Sequence, residues 1–165
     1  MKRSISAGFI AVLGVSLSSP LAAQQVPVPA GVASGDQVAW GPAPPALPPG
    51  AKIAVLSGDP GKPGLFVLRL QLPPDYEIAA HSHPATEYVT VLAGSFALGH
   101  GDVLDRGKAA EMRAGGFVEM PAQHNHFAWS GKEGATIQVH MQGPFVLTYA
   151  DPAKDPQRVA GTTAR

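Results

Sequence analysis

Five of the six histidines of this chain fall in three short runs: His81 and His83, His124 and His126, and His140. A lone histidine is commonly a satisfied core or surface residue; spacing is what singles these out. His81, His83 and Glu87 are separated by even numbers of residues, so on an extended chain their side chains share one face. Pro84 favours extended geometry at His83 and allows a local bend before Glu87. Two imidazoles and a carboxylate on one buried face are costly without a cation, so this group is a candidate metal site. A helix would set His83 and Glu87 one turn apart, but Thr86, Val89, Thr90 and Val91 oppose it, and the His-Glu-x-x-His order of zinc proteases is missing. His126 lies on a distant segment after Pro121 and completes a set of three imidazoles and one carboxylate only where the sheet closes back on itself. The chain has no cysteine, so disulfides, thiolate sites and cysteine nucleophiles are excluded and any metal is held by histidine and carboxylate.

Other polar groups are more ambiguous. Gln138 and His140 share a face opposite Ile137, Val139 and Met141; they either line a cavity beside the metal or face solvent from an amphipathic edge. Phe127 and Trp129 alternate away from His126, which fits packing against a second sheet or another subunit. His100, Asp102 and Asp105 could form an accessory cation site but read more simply as solvated loop residues. Ser95 is not in a Gly-x-Ser-x-Gly elbow, and Gly61-Lys62-Pro63 lacks the spacing and the hydroxyl of a phosphate loop.

The elements that must position these groups are short. With 19 Gly and 17 Pro in 165 residues, long helices are interrupted and an all-helical bundle is excluded, while 45% hydrophobic residues suffice for one core. Leu65–Leu72 alternates Phe66, Leu68, Leu70 and Leu72 against Arg69 and Gln71, which is strand periodicity. Further strands are expected at Ile53–Leu56, Glu87–Leu92, Ser95–Leu98, Phe117–Met120, His126–Trp129, Ala135–Met141 and Phe145–Tyr149, with a hairpin at Gly94 and a polar loop over Gly99–Gly107. Eight or more short strands at this spacing predict an all-β sandwich or small barrel. At the N-terminus, Lys2 and Arg3 precede an apolar run and Ser18-Ser19-Pro20-Leu21-Ala22-Ala23, the layout of a secretory signal peptide, and the run is too short for a membrane span. The expected organisation is therefore a signal peptide over 1–23 cut before Gln24, a Pro-rich arm with an edge strand over 24–56, a barrel over 57–150 and a loose tail over 151–165. The 12 basic residues balance the 12 acidic ones, so no basic stripe supports nucleic-acid binding.

Taken together, His81-Ser82-His83-Pro84-Ala85-Thr86-Glu87 with Gly94 resembles the first motif of the cupins, H-x-H-x3-E-x6-G. Asp75 stands where that family usually has a glycine before the first histidine. Gly115, Pro121 and His126 are similar to the second motif, with Gln123 in place of its second Gly and Ser130 in place of its Asn. The departures fall on turn positions, not on ligand positions. The resemblance implies a double-stranded β-helix, or jelly-roll, barrel in which His81, His83, Glu87 and His126 hold one divalent transition metal (Fe, Mn, Ni, Zn or Cu). His124 shares the strand parity of His126 but stands two residues short of the motif spacing.

Such a site, with coordination positions left open, suits two classes of function. One is an enzyme acting on a small chelating organic substrate, enolic or catecholic, by dioxygenase-like oxidation, or by Lewis-acid isomerisation, lyase chemistry or decarboxylation, with His140 and His124 as the candidate acid–base residues outside the ligand set and Tyr88, pointing away from the face of Glu87, as a weaker one. The other is a non-catalytic periplasmic protein that captures a small molecule or a metal. The expected protein is periplasmic or secreted, free of the membrane after cleavage, and a homodimer paired through the arm and through outward-facing Phe127 and Trp129.

Overall fold

The computed structural model describes residues 38–158. The expected signal peptide over 1–23, the arm over 24–37 and the tail over 159–165 lie outside the described residues. Within them run β1 (Gly41–Pro42), β2 (Lys52–Ser57), β3 (Gly64–Leu72), β4 (Glu77–Ser82), β5 (Glu87–His100), β6 (Ala109–Arg113), β7 (Phe117–Met120), β8 (His126–Gly143) and β9 (Thr148–Tyr149). All pair antiparallel.

β3 follows its sequence period: Phe66, Leu68, Leu70 and Leu72 are buried, and the residues between them face outward. β5 and β8 depart from expectation. In place of a hairpin at Gly94 and two separate strands between His126 and Met141, each segment is one long strand. Both bend at bulges between Val91 and Ala93 and between Gly94 and Phe96. Gly94 has φ +72°, and a Cβ there would stand 2.1 Å from the Gly134 carbonyl oxygen; Gly134, on the partner strand, is left-handed as well. Two facing glycines let both strands change direction together, so a signal that reads as a turn in one strand produces a shared bend.

The bend divides the pairing into two layers. The first halves of the register, Glu87–Val91 with Ile137–Met141, lie between β3 and β7 in the order β1-β2-β3-β8-β5-β7. The second, Phe96–His100 with His126–Ser130, lies in the order β9-β4-β8-β5-β6. Phe66, Leu68, Val89, Val91, Val139 and Met141 form the centre of the core. β6 has no β-branched residue and no alternation of its own; it forms because the second half of β5 offers it an unpaired edge. The described part of the arm packs on the barrel, with Leu47 and Ala51 buried, the Tyr149 hydroxyl donating to the Ala46 carbonyl at 2.7 Å and the Tyr76 hydroxyl to that of Pro48. The strand expected at Ile53–Leu56 is β2, but it is not at an edge: it pairs along β3 on one side and with the two residues of β1 on the other.

The three departures from the cupin pattern have structural answers. Asp75 (φ 55°) and Gln123 (φ 63°) are the non-glycine residues of positive φ among the described residues, so the backbone keeps the left-handed turns without glycine. Ser130, fully buried, accepts from the Tyr76 N–H at 2.9 Å and donates to the Pro73 carbonyl at 2.6 Å, tying β8 to the turn before β4. Ser130→Ala leaves both backbone groups short of a partner and should cost about 1–3 kcal/mol, read as a lower urea midpoint with an unchanged slope; an unchanged midpoint would remove Ser130 from the list of fold determinants.

Candidate metal centre

Three strand ends converge at one end of the barrel. His81 sits near the end of β4, paired across to His126 at the start of β8, and His83 follows just after β4. The chain then bends through Pro84–Thr86, and Glu87 opens β5 in the other layer. The even spacing therefore places the two histidines on one wall and Glu87 across from them, with the bend at Pro84 doing the turning. All four side chains are buried. One ring nitrogen from each of His81, His83 and His126 lies within 4.8 Å of the others, an arrangement that could hold a metal ion. Glu87 Oε2 is 3.5 Å from His126 Nε2 and 3.6 Å from His83 Nε2.

The backbone fixes the tautomers. Nδ1 of His81 lies 2.7 Å from the Ala79 carbonyl, Nδ1 of His83 2.7 Å from that of Val146, and Nδ1 of His126 3.0 Å from that of His124. A carbonyl only accepts, so each Nδ1 carries the hydrogen and a neutral ring leaves its Nε2 lone pair free to bind a cation. Nε2 of His83 is buried with no hydrogen-bond partner. Burial, reinforced by the neighbouring imidazoles of His126 and His83, pulls His81 down to about 3, and burial also lowers His83. For Glu87, burial opposes ionisation, and a protonated His126, His83 or His81 beside it acts the other way, so the net direction is downward only where positive charge stands next to the carboxyl. An ionised carboxylate here faces imidazoles that resist protonation, and a cation between them resolves the conflict. The residues present fit a divalent metal.

The remaining sequence candidates lie elsewhere. His124 is exposed, and its contribution is the carbonyl that orients His126. His140 lies on the outer face of β8, where the Gln138 amide reaches its Nε2 at 3.1 Å and Arg69 Nε donates to Gln138 Oε1 at 3.0 Å. Neither His124 nor His140 lines the cavity. Of the two readings of Gln138 and His140, the outer face is the one adopted, because Ile137, Val139 and Met141 take the inner positions. Phe127 is fully buried and Trp129 half-buried under the Arg106 guanidinium at 4.6 Å, so the expected outward apolar patch does not exist. Gly99 makes room for it: a Cβ there would meet the Phe127 ring at 2.6 Å. In the loop, Asp102 accepts from Asn125, and Asp105 accepts from the Gly107 N–H.

The cavity beside the four residues is about 20 Å3, room for roughly one water. Its wall includes groups the motif did not mark: Leu47 from the arm, and Phe145 and Leu147 from the strap between β8 and β9. Phe145 stacks on His83 with ring centres 5.6 Å apart. The alternation of Phe145 and Leu147 was visible in the sequence; which cavity they would close was not.

No family model matches the chain, and no curated protein matches it. Solved structures do. An RmlC-like cupin from Shewanella frigidimarina is 17% identical with TM-score 0.51, covering 67% of this chain and 89% of its own. The polyketide cyclase RemF from Streptomyces resistomycificus is 18% identical with TM-score 0.53, over 67% of this chain and 78% of its own. KdgF from Halomonas sp. is 14% identical with TM-score 0.50, over 67% of this chain and 93% of its own. The nine described strands, their two-layered pairing and these likenesses agree: the chain has the double-stranded β-helix fold of the cupins.

Proposed function

We propose that the protein is an exported, mononuclear metal-binding enzyme acting on a small chelating organic substrate by dioxygenase-like oxidation. The observation that supports this best is the buried set of three Nδ1-anchored imidazoles and one carboxylate, His81, His83, His126 and Glu87, inside an otherwise apolar cavity. A redox-active divalent ion held there supplies open coordination positions and one-electron chemistry. The chain's own part is to orient the rings through the carbonyls of Ala79, Val146 and His124, to exclude bulk water with aliphatic and aromatic walls, and to hold negative charge on Glu87. Among the described residues the cavity contains no acid or base beyond these four. That favours oxidation of a substrate acidic enough to bind as its anion over isomerase or lyase chemistry needing a separate proton donor. His124 and His140, off the cavity, receive no role in the chemistry. The polyketide cyclase among the structural neighbours supports the enzyme reading. The small free volume favours a second one, in which the site captures a metal or small molecule without turnover.

Lys2, Arg3 and the apolar run after them support export. Exposed Phe117, stacked on Tyr88 on the outer face of β5 and β7, supports a homodimer in place of the Phe127–Trp129 contact. One preparation tests these points: protein isolated from the periplasm of its own host without added metal. The expected result is an N-terminus at Gln24, a dimeric mass by light scattering, about one transition metal per chain by mass spectrometry, and oxygen uptake with a chelating substrate. A metal-free preparation that cannot be loaded would overturn the metal reading, and a loaded but inert one would move the assignment to capture.

A further inference from the structure

We propose that the ligand admitted to this site is a chelator that binds as a monoanion and is apolar around its donor atoms, and that Phe145 sets the size it can have. This rests on the reading that His81, His83, Glu87 and His126 hold a divalent ion. Three neutral imidazoles and one carboxylate around such an ion leave the centre with a single net positive charge. The rest of the wall, Leu47, Ile78, Val89, Ile137, Phe145 and Leu147 among others, is uncharged. No Arg, Lys, Ser, Thr, Asn or Gln lines it among the described residues. A monoanion therefore brings the buried centre to neutrality. A dianion leaves one negative charge uncompensated in apolar surroundings, where nothing donates to it. Polyhydroxylated ligands meet the same obstacle, since their hydroxyls would be stripped of water without replacement partners.

Size is set at the strap. The free volume of about 20 Å3 does not admit an organic chelator as the side chains stand. The strap backbone is tied down: the Phe145 N–H donates to the Pro60 carbonyl at 2.7 Å, and the Val146 carbonyl accepts from His83 Nδ1 at 2.7 Å. The Phe145 ring packs face-on against His83 and edge-on against Phe66, at 5.8 Å, yet it is only partly buried. Neither of these bonds involves the ring, so the side chain, not the strap, is the part placed to move.

Calorimetric titration of the metal-loaded full chain tests both parts with three chelators: acetylacetone and tropolone, which bind as monoanions, and oxalate, a dianion close to acetylacetone in size. Acetylacetone should bind at least tenfold more tightly than oxalate at pH 8, releasing one proton per molecule bound when measured in buffers of different ionisation heat. Phe145→Ala should keep its metal and gain at least tenfold in affinity for the bulkier tropolone, with a smaller gain for acetylacetone. Phe145→Val serves as the milder truncation. Oxalate binding as tightly as acetylacetone would overturn the charge rule. Tropolone affinity unchanged in both metal-replete variants would overturn the size rule, and loss of metal from both would assign the ring to holding His83 instead. Failure of the wild type to take up metal at all would remove the underlying reading, an outcome separable from the others because metal content is measured first.

Discussion

His126→Ala should lose most of its metal, whereas His124→Ala should retain it. The two residues share strand parity and are two positions apart, so sequence spacing alone favours one over the other only through its distance from Pro121. The structure separates them by burial: the His126 ring is inside with its Nε2 3.5 Å from Glu87, and the His124 side chain is exposed. His124 does act on the site, but through its carbonyl, which accepts from His126 Nδ1 and survives substitution by alanine. His81→Ala, His83→Ala and Glu87→Ala should behave like His126→Ala, each removing a donor that the remaining three cannot replace. An affinity loss of about tenfold to a hundredfold follows even from displacing a supporting group, so loss of a direct ligand should exceed that. Metal content of all five variants after dialysis against a weak chelator, measured by mass spectrometry, decides the matter. Full occupancy in His126→Ala with loss in His124→Ala would overturn the assignment.

The sequence carried the grouping of the candidate residues more clearly than the architecture around it. His81, His83 and Glu87 were legible because strand parity is local, and Pro84 marked the bend that separates them. An all-β sandwich or small barrel was legible through the spacing of Gly and Pro and the alternation in β3; the jelly roll followed from the resemblance of the histidine motifs to the cupins. What failed were features defined by contacts between distant segments. Gly94 has the same appearance in a hairpin turn and in a bulge; only its facing partner Gly134 distinguishes them. β6 exists because of an edge supplied by β5, not because of its own residues. Phe127 looked outward by alternation from His126, but at a barrel end covered by the Gly99–Lys108 segment both neighbouring positions are buried. Phe145 and Leu47 close the cavity from opposite parts of the chain, and no spacing rule connects them.

Acidification should destabilise the metal-free protein well above the pH at which most carboxylates titrate. The folded state holds His81 neutral down to about pH 3, whereas in the unfolded chain it takes up a proton near its ordinary value of 6.5. Between those limits the unfolded state binds the extra proton, so stability is complete above pH 6.5 and falls as pH drops through the window. Two pH units below 6.5, at pH 4.5, His81 alone accounts for about 2–3 kcal/mol at roughly 1.4 kcal/mol per unit. His83, lowered in the same direction by burial, adds to this loss. The melting temperature of metal-free protein should therefore fall on the order of 10 °C between pH 7 and pH 4.5. His81→Asn, which removes the titrating ring and keeps a similar polar volume, should flatten that dependence even if its melting temperature at pH 7 is lower. Metal-loaded wild type should also hold its melting temperature to lower pH, since protons must then displace the ion from the ring nitrogens before the rings can charge. A metal-free protein whose melting temperature is level from pH 7 to 4.5, or a His81→Asn variant with the full wild-type slope, would show that the buried imidazole is not what couples this fold to protons.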